Sequence, residues 1–240
     1  MLSPYARALG ANDDLRVAVI GFNGRGQNHI DSAAEGQGVA RLVALCDADS
    51  ARCSDKTAAE LAKKGVEVAN YDDYRKVCEA KEIDAVVIAT PNHTHALIAV
   101  TAAANGKHVY VEKPVSHNVW EGRKLAEAQA KYKVNIQHGF QRRSETCWAE
   151  ALEWLKEGNV GKITFARGFC YKPRPSIGKV SAAMKPPANV NYDLWSGPRE
   201  AAAGEADEVP LRLALAVPLR QWRPRQPRPA PARCLPLGTR

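Results

Sequence analysis

The sequence lacks long hydrophobic runs, closely paired cysteines, and any stripe of lysine and arginine interleaved with aromatic residues. No apolar stretch approaches the roughly 20 residues of a membrane-spanning helix, so no membrane partner is expected. The six cysteines are scattered without a Cys-x-x-Cys pair. This spacing argues against a zinc site or a disulfide framework, and it favours a reducing compartment.

Charged residues and histidines are also unevenly distributed along the sequence. The net charge is +8, and residues 201–240 contribute half of it through seven Arg against three acids. The mildly basic remainder does not indicate a nucleic-acid partner. Residues 1–14 form an N-terminal extension without the pattern of a secretory signal, so we expect a cytoplasmic protein, or a periplasmic one if an export signal precedes Met1. No histidine follows His138.

Hydrophobic periodicity predicts an α/β fold, because apolar strands alternate with helical patterns from residue 15 to residue 139. The predicted strands are Val17–Gly21, Ala40–Cys46, Val66–Ala69, Ala85–Ala89, His108–Val111 and Val134–His138. The predicted helices are Gln27–Gly36, Ser50–Lys64, Tyr71–Ala80, His95–Asn105 and Ser116–Tyr132. A Rossmann-type doubly wound parallel sheet is therefore expected for residues 15–139.

A second, α+β unit is expected over residues 140–200. It begins with a predicted helix, Glu145–Glu157, whose Trp148, Leu152 and Leu155 are expected to lie in a core, and continues with a predicted strand, Lys162–Tyr171. Residues 172–190 are rich in Pro, Lys and Ser and are predicted to form a surface loop.

A glycine-rich turn follows the first strand. Gly21 and Gly26 match the first and third glycines of Gly-x-Gly-x-x-Gly, while Asn23 stands at the second position. Asn tolerates positive φ, so a turn that cradles a pyrophosphate at a helix N-terminus remains feasible. Alone the match is weak, because glycine turns after strands are common.

An acidic residue strengthens the nucleotide hypothesis. Asp47 ends the second strand, 21 residues after Gly26. This matches the expected position of a carboxylate that accepts hydrogen bonds from both ribose hydroxyls and repels a 2′-phosphate. It favours NAD over NADP. The alternative for Asp47 is a solvated turn at a strand end.

Two further segments end strands at the edge where open parallel sheets bind ligands. In the first, Thr90, Asn92, His93 and His95 could supply polar contacts to a cofactor, and the alternative for this loop is ordinary turn and N-cap chemistry. His93 and His95 lack further ligands nearby, so no metal is expected. In the second, Glu112 and Lys113 lie after a strand, and a desolvated lysine can act as an acid or a base. The alternative is a surface Lys–Glu pair.

Taken together, these motifs resemble the Gfo/Idh/MocA family of oxidoreductases over roughly residues 15–198. The resemblance rests on the glycine turn, Cys46-Asp47, Thr90-Pro-Asn-His-Thr-His95, Gly106-Lys-His-Val-x-x-Glu-Lys-Pro114, Asn135-x-Gln-His-Gly-Phe-Gln-Arg-Arg143 and Tyr192-Asp-Leu-Trp-Ser-Gly-Pro198. It implies a Rossmann domain followed by an α+β domain whose open sheet covers the nicotinamide and, in full-length relatives, often mediates homo-oligomerisation.

The resemblance also implies roles for individual residues. The pyrophosphate would be held by Gly21, Phe22, Asn23, Gly24, Arg25 and Gly26, and the adenosine ribose by Asp47. The cofactor would be lined by Thr90, Pro91, Asn92 and His95, while Glu112 would contact the nicotinamide ribose. Lys113 would be the active-site lysine, next to the cofactor, and Gln141 and Arg142 would lie near the nicotinamide and the substrate.

The resemblance implies a hydride transfer between a sugar or cyclitol-like alcohol and a nicotinamide cofactor, which is our expectation for this chain. Some relatives instead use tightly bound NAD for glycoside cleavage, which is one alternative. The other is a catalytically dead nucleotide-binding fragment, because the family's His-x-x-Asp motif in the second domain is missing.

The last forty residues do not match the family. Seven of the fifteen prolines lie in residues 201–240, where arginine replaces lysine entirely. Back-translated with permitted codons and read one nucleotide later, residues 204–239 can encode text resembling the family's next segment, including Gly-x-His-x-x-Asp. We interpret the tail as a frameshift near Ala201–Gly204 that leaves the second domain incomplete. The alternative is a basic interaction arm.

Overall fold

The computed structural model describes residues 15–34, 40–54, 56–169, 171 and 186–197. The predicted N-terminal extension, most of the predicted 172–190 loop and the predicted Pro/Arg-rich tail lie outside the described residues. Within the described part, no helix is long and apolar enough to cross a bilayer.

Six parallel strands form the sheet, in the order β3-β2-β1-β4-β5-β6. The strands are β1 (Leu15–Ile20), β2 (Ala40–Cys46), β3 (Ala69–Tyr71), β4 (Ala85–Ile88), β5 (His108–Val111) and β6 (Ile136–His138). This is the Rossmann strand order, with the topological switch between β1 and β4. The predicted doubly wound α/β fold is confirmed.

Helices cover both faces of the sheet. They are α1 (Arg25–Ala34), α2 (Ser50–Ser54), α3 (Lys56–Lys63), α4 (Tyr74–Glu79), α5 (His95–Ala104) and α6 (Val119–Tyr132). One apolar cluster joins Ile30 of α1 to Val19 of β1. Another joins Val77 of α4 and Leu125 of α6 to the sheet. Burial on both faces explains why the central strands are continuous apolar runs.

Two helices begin later than predicted, and their caps give the reason. The helix predicted from Tyr71 starts at Tyr74, because the Asp73 side chain accepts a hydrogen bond from the Arg75 amide at 2.8 Å. The helix predicted from Ser116 starts at Val119 after Asn118, whose side chain accepts from the Glu121 amide at 2.9 Å. Side-chain acceptors at the N-cap satisfy amides that the first helical turn leaves unbonded.

The described residues fall into two compact units, 15–139 with 186–197 and 140–169 with 171. The first unit thus includes the short helix α8 (Tyr192–Ser196), which the sequence placed with the second domain.

The second unit contains a short 3₁₀ helix, Gln141–Ser144, and α7 (Thr146–Lys156). The predicted strand Lys162–Tyr171 is wrong, because residues 162–169 and 171 have no regular secondary structure. Within the described part of the chain no strand pairs with them, and a strand needs a ladder partner for its backbone groups. Trp148 and Leu152 are exposed rather than in a core.

Candidate nucleotide-binding site

The glycine turn is built so that backbone approaches backbone. A Cβ at Gly26 would lie 2.0 Å from the carbonyl oxygen of Gly21, and a Cβ at Gly21 would lie 2.8 Å from backbone atoms of Thr90. Gly21 also has φ +80° and donates its amide to the Cys46 carbonyl at 2.8 Å. Only glycine fits these two positions, because any side chain would meet backbone atoms. The turn thereby brings the ends of β1, β2 and β4 together directly before the N-terminus of α1.

The turn forms without using the tolerance of Asn23 for positive φ. Among the described non-glycine residues only Lys133 has positive φ, so Asn23 does not adopt the left-handed conformation. Gly24 takes that conformation instead, with φ +135° and nothing within 4 Å of an added Cβ. The permissive position of the turn is therefore shifted by one residue from the position that the motif alignment assigns to it.

Asp47 is half-buried at the carboxyl end of β2. Its Oδ2 accepts from the Phe22 amide at 3.2 Å, and its Oδ1 accepts from the Asp49 amide at 3.0 Å. Burial raises the pKa of Asp47, while these two backbone hydrogen bonds oppose the shift. The carboxylate is thus fixed beside the glycine turn by one amide from that turn and one from its own loop after β2.

Glu112, directly after β5, is buried and contacts Arg25 at the end of the glycine turn. Its Oε1 accepts from Arg25 Nε at 3.1 Å and lies 2.9 Å from His29 Nε2. Its Oε2 accepts from the Lys113 amide at 3.2 Å. Burial raises the pKa of Glu112, but the hydrogen bonds from Arg25 and His29 outweigh it and hold the pKa below its usual value.

Sequence reasoning missed His29, which stacks edge-on against Tyr110 with ring centroids 5.3 Å apart. The available signal was the spacing of Arg25 and His29, which places residues four apart on one face of a helix. That face of α1 points to the end of β5, so two side chains from the same helix contact the buried carboxylate.

The loop after β4 is braced internally. Thr94 Oγ1 contacts Thr90 Oγ1 and the Pro91 carbonyl, both at 2.9 Å. His95 is buried, with Nδ1 2.6 Å from the Pro114 carbonyl and Nε2 2.8 Å from the Thr90 carbonyl. Burial lowers the pKa of His95, whereas the two carbonyl contacts raise it. His95 thus links this loop to the segment after Lys113.

Most predicted site residues therefore lie along one edge of the sheet. The strand registers pair Ile20 with Cys46 and with Ile88, and Ile88 with Val111, so the strands that precede the site segments end level with one another. Asn92 is half-buried and Lys113 is exposed at this edge. Gln141 and Arg142 belong to the second unit, where Arg142 binds Glu145 at 2.8 Å.

The fold and this edge define a dinucleotide-binding Rossmann domain. The model of the oxidoreductase family with an NAD-binding Rossmann fold, GFO_IDH_MocA, matches residues 15–140, and the chain belongs to that family. The family predicted from the motifs is confirmed.

Individual relatives and solved structures match between 62% and 65% of this chain. The scyllo-inositol 2-dehydrogenase (NAD(+)) of Bacillus subtilis is 34% identical over 155 residues, which are 65% of this chain and 44% of that protein. A probable dehydrogenase from Thermotoga maritima has a TM-score of 0.55 at 30% identity, over 62% of this chain and 43% of the other. The Lactobacillus casei scyllo-inositol dehydrogenase solved with NAD(H) and scyllo-inositol has a TM-score of 0.55 at 26% identity, over 63% and 43%. The chain thus spans less than half the length of these relatives.

Proposed function

We propose that this chain binds NAD and serves a dehydrogenase that moves a hydride between a cyclitol- or sugar-like alcohol and the nicotinamide. The observation that carries the proposal is the alignment of the glycine turn, Asp47 and Lys113 at one sheet edge in a family of NAD-binding oxidoreductases. The inositol dehydrogenases among its relatives favour a polyol as the substrate.

The residues present fit a dinucleotide. The close approach of Gly26 to Gly21 leaves the backbone bare before α1, where a helix N-terminus favours the negative charge of a pyrophosphate. The Asp47 carboxylate would accept hydrogen bonds from ribose hydroxyls and repel a 2′-phosphate, which supports NAD over NADP. Bound NAD would supply the hydride acceptor of the reaction.

The protein's own part in the chemistry would fall to Lys113. Its backbone amide is held by Glu112, while its side chain is exposed at the site edge. There it would take the proton of the substrate hydroxyl during oxidation and return it in the reverse direction. Thr90, Pro91 and Asn92 would line the cofactor, with His95 behind them, and Gln141 and Arg142 would approach the nicotinamide and the substrate.

We also propose a compartment and partners for the protein. Among the described cysteines, Cys46 and Cys78 are buried thiols and Cys147 is an exposed one. The scattered spacing of the six cysteines in the sequence supports a reducing compartment, and we propose the cytoplasm, with the periplasm as the location if an export signal precedes the sequence. A small polyol is the proposed partner, and the full-length protein is proposed to form homo-oligomers.

Titration with NAD and with NADP, monitored by tryptophan fluorescence, tests the binding proposal. We expect saturable binding, with a dissociation constant for NAD at least tenfold lower than that for NADP. In Asp47→Asn, the ratio of the NADP to the NAD dissociation constant should fall. Turnover is then measured as NADH formation with myo- and scyllo-inositol. Binding without turnover of any polyol favours the nucleotide-binding fragment, and release of sugar from a glycoside without net NADH favours the glycosidase alternative. Absence of NAD binding refutes the proposal.

The frameshift interpretation has a test of its own. Sequencing the coding DNA across residues 196–206 shows whether a base is missing or extra. A corrected frame that continues into Gly-x-His-x-x-Asp supports the interpretation, and an intact frame refutes it.

A further inference from the structure

The segment 186–197, here named the return segment, attaches to the turn that follows β2. The Ser50 amide donates to the Asn189 carbonyl at 2.8 Å, and the Asn191 amide donates to the Ala48 carbonyl at 2.8 Å. Asp49 and Val190 form an antiparallel bridge between these two hydrogen bonds. The return segment thus adds a short backbone ladder to the turn that carries the ribose-binding carboxylate.

Side chains extend this attachment to Asp47. Asn189 Nδ2 donates to Asp49 Oδ1 at 2.6 Å, and the Asp49 amide in turn donates to Asp47 Oδ1 at 3.0 Å. The Asn189 carbonyl also accepts from the Ser50 hydroxyl at 3.1 Å. A continuous series of hydrogen bonds therefore connects Asn189 to the carboxylate proposed to recognise the adenosine ribose.

The other end of the return segment attaches to the loop after β4. The Trp195 carbonyl lies 2.8 Å from His93 Nε2, and the two rings meet edge-on with centroids 5.5 Å apart. A Cβ at Gly197 would lie 2.8 Å from the Thr94 methyl group. Because β1 lies between β2 and β4, the segment connects loops about 10 Å apart, on either side of the glycine turn.

We propose that Asn189 is a positioning residue for cofactor recognition, and that the return segment sets the preference for the adenosine half of NAD by fixing Asp47. The inference rests on the proposed function. Asn189 does not itself contact the ribose in this account. Together with the Ala51 amide at 3.0 Å, it holds the Asp49 carboxylate, and thereby the amide that orients Asp47. Loosening this series lets the Asp47 carboxylate turn toward water, which weakens ribose binding and reduces the repulsion of a 2′-phosphate.

The test compares Asn189→Ala and Asn189→Asp with wild type in binding NAD, NADP and nicotinamide mononucleotide, which lacks the adenosine half. Loss of one hydrogen bond to a carboxylate predicts that N189A binds NAD about threefold to tenfold more weakly. N189D, which places a second carboxylate against Asp49, is expected to bind NAD more weakly still. Affinity for the mononucleotide stays unchanged, and the ratio of NADP to NAD dissociation constants falls.

Asn159→Ala is the matched control, because the Asn159 side-chain amide likewise donates to a carboxylate, that of Glu157, but lies in the second unit, where it also donates to the Trp154 carbonyl. It should leave all three dissociation constants unchanged. Asp49→Ala also removes the acceptor of the Ala51 amide at 3.0 Å, so it should weaken NAD binding at least as much as N189A. The double variant should bind NAD no more weakly than Asp49→Ala alone, because both changes break one series.

Three results would overturn the inference. If the ratio of the NADP to the NAD dissociation constant in N189A equals that of wild type, Asn189 does not act through Asp47. Equal weakening of NAD and the mononucleotide, together with a lowered unfolding temperature, shows a general structural role instead. Wild type that binds no NAD overturns the proposed function as well, whereas the first two results leave it standing.

Discussion

Replacing Glu112 by Gln removes one negative charge from a buried position without changing the volume of the side chain. The Glu112 side chain is 4% exposed, whereas its partners His29 and Arg25 are 17% and 41% exposed. Removing one member of a buried ion pair costs about 3–5 kcal/mol, because the remaining charge is left unpaired. Arg25 can regain water, so we expect E112Q to lose about 2–3 kcal/mol of unfolding free energy.

The pH dependence of this loss follows from the direction of the pKa shift. Glu112 has a pKa below its ordinary value of 4.5 in the folded protein, so folding favours its charged form. Its stabilising contribution is therefore fully present above about pH 4.5, and it is lost as the pH falls through the folded-state pKa. The difference between wild type and E112Q should shrink on acidification.

Urea unfolding, followed by circular dichroism over a range of acidic to neutral pH, measures both quantities. Glu127→Gln is the control, since Glu127 forms an exposed pair with Lys124 at 2.6 Å that is expected to contribute less than about 1 kcal/mol. A loss in E112Q no larger than in E127Q would refute the reasoning. A difference between wild type and E112Q that does not change with pH would refute it too.

Three further variants test separate parts of the molecule. Gly26→Ala forces a Cβ to within 2.0 Å of the Gly21 carbonyl oxygen. Titration should therefore show at least a tenfold loss of NAD affinity, and urea unfolding should show a loss of about 1–3 kcal/mol of unfolding free energy. Gly168→Ala, with open space around it, should change neither quantity. Lys113→Gln should abolish NADH formation in any active form of the enzyme while the NAD dissociation constant stays within about threefold of wild type; equal turnover would exclude its role. Lys107→Met should lower the unfolding free energy by about 1–3 kcal/mol, because the carbonyls of Ala80 and Ile83 would lose the ammonium that donates to both. An unchanged urea midpoint would contradict this.

The features predicted correctly are those that the local sequence determines. The apolar run of β1, the Gly21 turn and the start of α5 each depend on residues within about ten positions. The position of Asp47 after β2, beside the glycine turn, could be predicted because its distance from Gly26 follows from the length of one βαβ unit. Strand order also follows, since parallel strands with helical crossovers allow few arrangements.

The features that were missed depend on contacts between distant residues. His29 matters only because α1 packs so that its Arg25 face meets Glu112, 83 residues further along the chain. Asn189 meets Asp49 across 140 residues, and no periodicity predicts such a pair. The strand predicted at Lys162–Tyr171 has suitable residues but no partner in the described part of the chain, and local propensity does not form a strand without one.

The motif residues divide by what their side chains contact. Lys113 and Asn92 remain accessible, whereas Glu112 and His95 are used within the protein. Glu112 ties the segment after β5 to α1, and His95 ties it to the loop after β4. The Lys113 backbone is therefore held from two sides, so a substitution of Glu112 or His95 is expected to displace Lys113 rather than to remove a direct ligand contact. Such a loss should appear in turnover before it appears in NAD affinity, since the glycine turn and Asp47 are held by separate hydrogen bonds.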